Sequence, residues 1–392
     1  IPLGTGPYKL STVDPGRSVT YERNPDFWGQ KKPQFAGRFN FDKISFEYFR
    51  DTDVAYQALL AQNIDIYFEQ NPSKWIERRK TKTEGFDAQA IDLALPPPFL
   101  GMVFNTRKDI FSDPRVRRAL TLAYDFEWVN ENLLQGLYKR TQSYFEAENL
   151  QATGIPKGLE LDMLSPYSKT LPTQLYNNAF NLPRSNGDGR IRNRLRQAKS
   201  LLREAGWSPK GQKLFNQARG LNFEIEMLLV DRTHLKLISG FKKNLKTLGI
   251  DLRVRLLDSA SFQNRITDFD FDMMITEWGQ SLSPGNEQAF YWSSHAAETP
   301  GSRNYPGIQQ PAVDHLVQVI AGAKDRKILE AAVRALDRIL LWGYYAIPLH
   351  HSNQQWIYHS KSIQFPENPS FHGTTMDLWW KGTVDDAALK RP

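Results

Sequence analysis

Residues 269–308, FDFDMMITEWGQSLSPGNEQAFYWSSHAAETPGSRNYPGI, constrain the architecture more than any other stretch. Residues 270–277 combine β-formers with apolar side chains, the composition of a buried strand. After Trp278 the character changes: Gly279, Ser281, Ser283, Pro284, Gly285 and Asn286 are turn formers. Trp278, Tyr291 and Trp292 stand among Gln280, Asn286, Glu287, Arg303 and Asn304. Loops of this length are functional or disordered as a rule, and so many aromatics argue against disorder. Two readings stand level on composition. One is a small-molecule pocket beyond the carboxyl end of a strand, built from flat apolar faces and hydrogen-bonding groups. The other is an Ω-loop packed on its own side chains.

At 392 residues the chain exceeds one core, so two lobes are expected. Hydrophobic residues make up 40%, enough for a sizeable core, yet no apolar run approaches the roughly 18 residues of a membrane span. The absence of cysteine excludes disulfides and thiol chemistry. A net charge of +7 suits an acidic partner, nucleic acid included. The basic residues read as scattered, however. The densest run, Arg190, Arg192, Arg194 and Arg196, leads into a helix and reads as its solvated face. No nucleic-acid-binding motif is present.

In chain order, residues 8–10, 19–23 and 44–49 read as strands, residues 52–61 as a helix with Val54, Ala58, Leu59 and Ala61 inward, and residues 64–68 as a strand. That run suggests a mixed sheet with helices packed on it. Asn24, Pro25 and Trp28 read as a turn plus a buried anchor. Pro96, Pro97 and Pro98 precede an extended segment at 100–105, taken as the first crossing between lobes. Ser112 or Asp113 caps a helix with Pro114 in its first turn, running to about Leu134, with Arg115, Arg117 and Arg118 on an exposed face. Residues 140–182 form a structured excursion in which Tyr144 and Phe145 are candidates to line a pocket, although core packing is the commoner fate of such side chains. Residues 190–257 give helix, strand, helix, strand with short links, the pattern of a parallel crossover. Helices at 314–322 and 327–342 follow, then a strand at 344–350 whose Pro348 makes it an edge or a crossing, and a tail ending in charge.

The run WGQSLSPGNEQAFYW, followed by GSRNYPGI, resembles the Yej-type branch of the extracytoplasmic oligopeptide-binding proteins, the receptors of ATP-driven (ABC) peptide importers. RTQSYFEAENLQATGIPKGLEL at 140–161 resembles the same branch. GTGPYKL, VTYERNPDFWG and FNTRKDIFSDPRVRRALTLAYD resemble the broader peptide/nickel-binding superfamily, SBP family 5. The likeness covers nearly the whole chain. It implies an α/β, two-lobed periplasmic-binding-protein-like fold of type II, the large oligopeptide-binding class, with mixed sheets and flanking helices. By that likeness residues 1–99 belong to the first lobe, with an N-terminal portion missing, residues 100–345 to the second, and 346–392 return to the first. Relatives carry an export signal and a longer N-terminal segment, so the sequence resembles the C-terminal portion of a larger receptor.

The resemblance implies a monomeric periplasmic receptor that captures a short peptide or muropeptide-like ligand between its lobes and delivers it to an inner-membrane ABC permease by hinge closure. In this reading Trp278 and Trp292 are flat walls, Gln280, Ser281 and Asn286 pair with peptide amides, and Tyr144 lines the pocket. Arg303 takes a ligand carboxylate with Asn304 assisting, and Glu287 meets an amine or faces water. The wider oligopeptide receptors place an Asp near this loop to hold the ligand's free amine. Here that position is Ser281, which favours an unusual peptide cargo.

An enzyme finds little support. Residues 279–283, GQSLS, approach the Gly-x-Ser-x-Gly elbow but end in Ser283 and continue as a loop. Asp268, Asp270 and Asp272 lack the glycine of a calcium loop. His350 and His351 are adjacent and point to opposite faces of a strand. No catalytic residue, cofactor or metal is assigned. The alternative from another class is a hydrolase acting on peptide or glycan.

Overall fold

The computed structural model describes residues 4–80, 84–366 and 374–382. The chain divides into two compact units, residues 1–95 with 353–392 and residues 96–352. The charged C-terminal end expected from the sequence lies outside the described residues.

In the first unit, two three-stranded sheets replace the mixed sheet that was expected. Tyr8–Asp14, Ser18–Arg23 and Lys43–Glu47 form an antiparallel meander. The second sheet places Gln354–Ser360 between Ile66–Glu69 and Phe86–Asp92, antiparallel to both. A strand from the far end of the chain supplies the central pairing, which local β–α–β patterning could not reveal. The helix Thr52–Leu60 is capped by Asp51, whose side chain accepts from the Asp53 and Val54 amides. Its inward face carries Ala55, Tyr56 and Leu59, while Val54 is exposed. Trp28, expected as a buried anchor, is 60% exposed. Trp75 takes an anchoring role instead, stacked on Trp356 at 5.9 Å.

The second unit is built on a five-stranded sheet. Its order is Asp251–Leu256, Glu224–Leu229, Met273–Trp278, Phe99–Phe104, Ala346–Pro348. Glu224–Leu229 runs parallel to Asp251–Leu256 and to Met273–Trp278. The other two pairings are antiparallel. Ala346–Pro348 closes one edge, where Pro348 costs no ladder bond. It stays in this sheet, and His350–His351 pairs with Lys139–Arg140, so the chain leaves the unit only after Ser352.

Strand alternation divides the side chains of Phe99–Phe104 and Met273–Trp278 between two cores. Phe99, Val103, Met274 and Trp278 face one, shared with the helices Pro311–Gly322 and Arg326–Trp342. Met102, Phe104, Met273 and Ile275 face the other, shared with Pro114–Ala123, Arg192–Glu204 and Ser239–Leu248. Asp113 caps the helix that opens with Pro114, its side chain accepting from the Arg115 amide. That helix stops at Ala123 and a second one, Phe126–Leu133, follows; the chain is extended at Tyr124, where one long helix was expected.

Two arginines read as solvated are buried. Arg117 donates to the carbonyls of Phe111 (2.6 Å), Ser112 (3.1 Å) and Gly343 (2.7 and 2.9 Å). Arg194 donates to the carbonyls of Leu122 and Tyr124 and lies 3.8 Å from Asp125. A planar fork suits both tasks, because each guanidinium satisfies carbonyls at helix and strand ends that water does not reach. Arg115 pairs with Asp113 at 2.7 Å on the surface.

Candidate functional site

Met273–Trp278 delivers the chain into the segment that follows it. That segment is less open than its turn residues suggest: Glu287–Trp292 and Ser294–Glu298 are helical. Ser293 caps the second helix, accepting from the Ala296 amide. Asp314, on the helix Pro311–Gly322, accepts from both the amide (2.7 Å) and hydroxyl (2.6 Å) of Ser294. Arg326 donates to the carbonyl of Leu282 and to the Ser283 hydroxyl. The segment is thus fastened to two helices.

Its large aromatics point inward. Trp278 and Trp292 are fully buried, 4.9 Å apart between ring centres, and do not form exposed walls. Tyr144 is also buried, stacked on Phe99 at 3.8 Å and edge-on to Trp292 at 5.3 Å. Phe145 is equally buried. Both indole N–H groups find acceptors. Trp278 Nε1 donates to the Arg303 carbonyl at 3.0 Å and Trp292 Nε1 to Gln288 Oε1 at 2.9 Å. Buried flat rings with satisfied indole N–H groups make a rigid platform beneath the surface.

Asn304 also departs from expectation. It is fully buried and its amide is saturated. Nδ2 donates to the carbonyls of Ser293 (2.8 Å) and Ile308 (2.9 Å), and Oδ1 accepts from the Gly307 (3.0 Å) and Ile308 (2.8 Å) amides. No capacity remains for a ligand, because the folded-back segment needs the whole side chain to satisfy its own backbone.

The remaining candidates reach the surface. Ser281, Asn286 and Glu287 are exposed, and Gln280 and Arg303 are half-buried. Gln288 links them to the platform: its Nε2 donates to Gln280 Oε1 (2.8 Å) and Glu287 Oε1 (3.1 Å) while its Oε1 holds Trp292. Glu287 also accepts from the Gly285 amide at 2.8 Å, and the Ser281 hydroxyl accepts from the Ser283 amide at 3.2 Å. Arg303 donates to the Glu277 carbonyl at 2.9 Å and lies over the Tyr291 ring at 5.4 Å. The surface therefore offers a cation, a carboxylate, amides and a hydroxyl, all standing on a fixed aromatic base.

Sequence reasoning gave no role to Arg107, which fixes this segment from outside. Its guanidinium donates to the carbonyls of Ala297 (3.1 Å), Asn304 (3.1 Å) and Tyr305 (3.0 Å) and lies 3.8 Å over the Phe269 ring. Burial lowers its pKa to about 10, so it stays charged at neutral pH. Gly307, at φ +77°, sits where a Cβ would be 2.7 Å from Arg107 Nη1. Asp337 was also missed. It accepts at 2.8 Å from the Ser143 hydroxyl and from the amides of Tyr144 and Ala152, tying residues 140–152 to the helix Arg326–Trp342. Its neighbour Arg338 pairs with Glu160 at 2.6 Å and donates to the carbonyls of Thr153 (2.9 Å) and Gly154 (2.8 Å). The signal was there: Val333, Asp337 and Leu340 fall on one helix stripe.

The tempting motifs have structural uses. Asp270 pairs with Arg265 at 2.8 Å, and Asp272 accepts from the Glu226 amide at 2.8 Å. His351 Nδ1 meets the Thr141 hydroxyl at 3.0 Å. Among the described residues no group of three His, Cys, Asp or Glu is placed to hold a metal ion, and no helix is long and apolar enough to cross a membrane.

The chain is 35% identical, over 97% of its length, to the probable peptide-binding protein YejA of Agrobacterium fabrum, of which it covers 63%. It is 34% identical, over 97% of its length, to the peptidoglycan-binding protein YepA of the same organism, covering 64% of it. It therefore spans somewhat under two thirds of the length of these relatives, which are binding proteins by name. In fold it is similar to the oligopeptide-binding protein AppA of Bacillus subtilis, solved with a nonapeptide, with a TM-score of 0.69 at 19% identity over 96% of this chain and 66% of that one. Residues 1–300 match the bacterial extracellular solute-binding proteins, family 5 middle domain. The chain is an α/β protein, similar in fold to AppA, and belongs to family 5 of the bacterial extracellular solute-binding proteins.

Proposed function

We propose that this chain is the ligand-binding part of an ABC-type peptide importer's receptor. It takes a short peptide or peptide conjugate, muropeptides included, between its two units in the periplasm. Closure then presents the loaded form to an inner-membrane permease. The observation that carries this reading is the 97% coverage of the chain by relatives named for peptide and peptidoglycan binding.

The mechanism is affinity without bond-making. A ligand held by both units favours the closed state by its differential affinity, and the hinge equilibrium shifts accordingly. Arg303 is the anchor for a ligand carboxylate, since a planar fork accepts two oxygens at once. Gln280, Ser281 and Asn286 serve peptide amides and Glu287 an amine. Trp278, Trp292, Tyr144 and Asn304 hold that surface in place from beneath, without touching the ligand. The receptor acts as a monomer.

Titration calorimetry with a panel of short peptides and muropeptides tests the reading. The expected result is saturable binding with no turnover, weakened when the ligand's C-terminal carboxylate is amidated. Cleavage of the ligand by pure protein, or indifference to amidation, contradicts it.

A further inference from the structure

The charge of this chain is not spread evenly. Residues 192–249 hold 13 Lys and Arg against 4 Asp and Glu, while the other 334 residues hold 37 against 39. The whole positive excess therefore lies in one segment of the second unit. The fold condenses it further. The helix Arg192–Glu204 and the hairpin Trp207–Lys210 with Lys213–Asn216 meet the end of the helix Ser239–Leu248 around a cleft of about 780 Å³. Arg196, Lys199, Arg203, Lys213 and Lys246 line it, and no Asp or Glu does. Lys213 is paired with Glu224 at 2.7 Å. The other four are exposed, and none has an ion pair within 4.0 Å among the described residues. Its floor is apolar, formed by the buried side chains of Leu202, Trp207, Leu214 and Leu248.

Four like charges gathered without counter-charges repel one another, and an anion in the cleft relieves that repulsion. We propose that this cleft is a docking site for anionic phospholipid headgroups, which seats the second unit on a membrane surface. The volume suits a headgroup, and each cation near an anionic bilayer contributes favourably over about one Debye length. Nucleic acid fits less well. The one aromatic lining the cleft, Trp207, is buried against Phe223 at 4.3 Å, so no exposed ring offers a base a stacking surface. This site is independent of the segment after Trp278.

The test is flotation of the full chain with phosphatidylglycerol-containing and pure phosphatidylcholine vesicles, at low and high salt. Binding is expected with phosphatidylglycerol only, and lost at about 0.5 M salt. The triple variant K199E/R203E/K246E is expected to weaken it at least about tenfold. The control K31E/K32E/R50E, equal in charge but in the first unit, is expected to bind within about twofold of the parent. Thermal unfolding confirms that both variants fold, and single charge reversals replace any triple that does not. Three results overturn the proposal: no binding to phosphatidylglycerol at low salt, equal loss in both triples, or duplex DNA bound as tightly and lost through the same residues. Inorganic phosphate competing at equal charge concentration would also overturn it, by making the site one for free anions.

Discussion

Arg107 Nη2 donates to the carbonyl of Asn304 at 3.1 Å, joining two motifs that lie 197 residues apart in sequence. One follows Phe99–Phe104 and the other lies beyond Met273–Trp278, neighbouring antiparallel strands of one sheet. The contact explains why residues 297–307 keep one shape although little of that stretch is helical. A cation whose side chain lies partly at the surface satisfies their carbonyls, and Asn304 satisfies their amides. Arg107→Lys removes the fork and leaves carbonyls unpaired. It is expected to destabilise the second unit by about 2–4 kcal/mol in urea unfolding and to lower ligand affinity in parallel.

Asn304 and its neighbour Arg303 should separate cleanly. Asn304→Ala strips four hydrogen bonds from a buried turn and is expected to cost about 3 kcal/mol or more of stability. Arg303→Ala changes a half-buried side chain and is expected to cost no more than about 1 kcal/mol while weakening a carboxylate-bearing ligand at least about tenfold. Unfolding and calorimetry on both variants check the pair. Equal effects on binding at equal stability would contradict the assignment of roles.

Asp337 has its carboxyl pushed up to about 7 by complete burial, despite three donors. An acid with a raised folded pKa stays protonated while the unfolded chain ionises. Its contribution is therefore full below about pH 4 and is lost as pH rises toward 7. His350 and His351 act oppositely. Burial lowers both to about 4, so their contribution is full above the unfolded value near 6.5 and is lost as pH falls toward 4. Relative to the parent, Asp337→Asn is expected to steepen the rise of Tm between about pH 4.5 and 6.5, and His351→Gln to flatten it. Thermal melts across that range decide it.

Much of the second unit was legible because its elements obey local rules. Gly249, at φ +84°, stops the helix Ser239–Leu248, and Asp113 with Pro114 starts another. Leu228 and Leu229, Leu252, and Met273 and Met274 mark strands buried on the sheet. Two kinds of feature stayed hidden. Long-range pairing was one: nothing near Gln354–Ser360 says that it will sit between Ile66–Glu69 and Phe86–Asp92. Buried polar groups were the other. Arg117 and Arg194 look solvated in sequence, and only the fold shows which carbonyls need them. In the candidate site, the residue types around Trp278 singled out one segment. Sequence could not divide them into platform and surface, because an indole that lines a pocket and one that supports it have the same composition.

The measurement that tests the central claim most directly is native mass spectrometry of the protein purified from its own host without denaturation. The account predicts a co-purifying mass that fragments as a short peptide or muropeptide, and its loss in Arg303→Ala. A protein that emerges empty, and then ignores a panel of peptides and muropeptides, would contradict it.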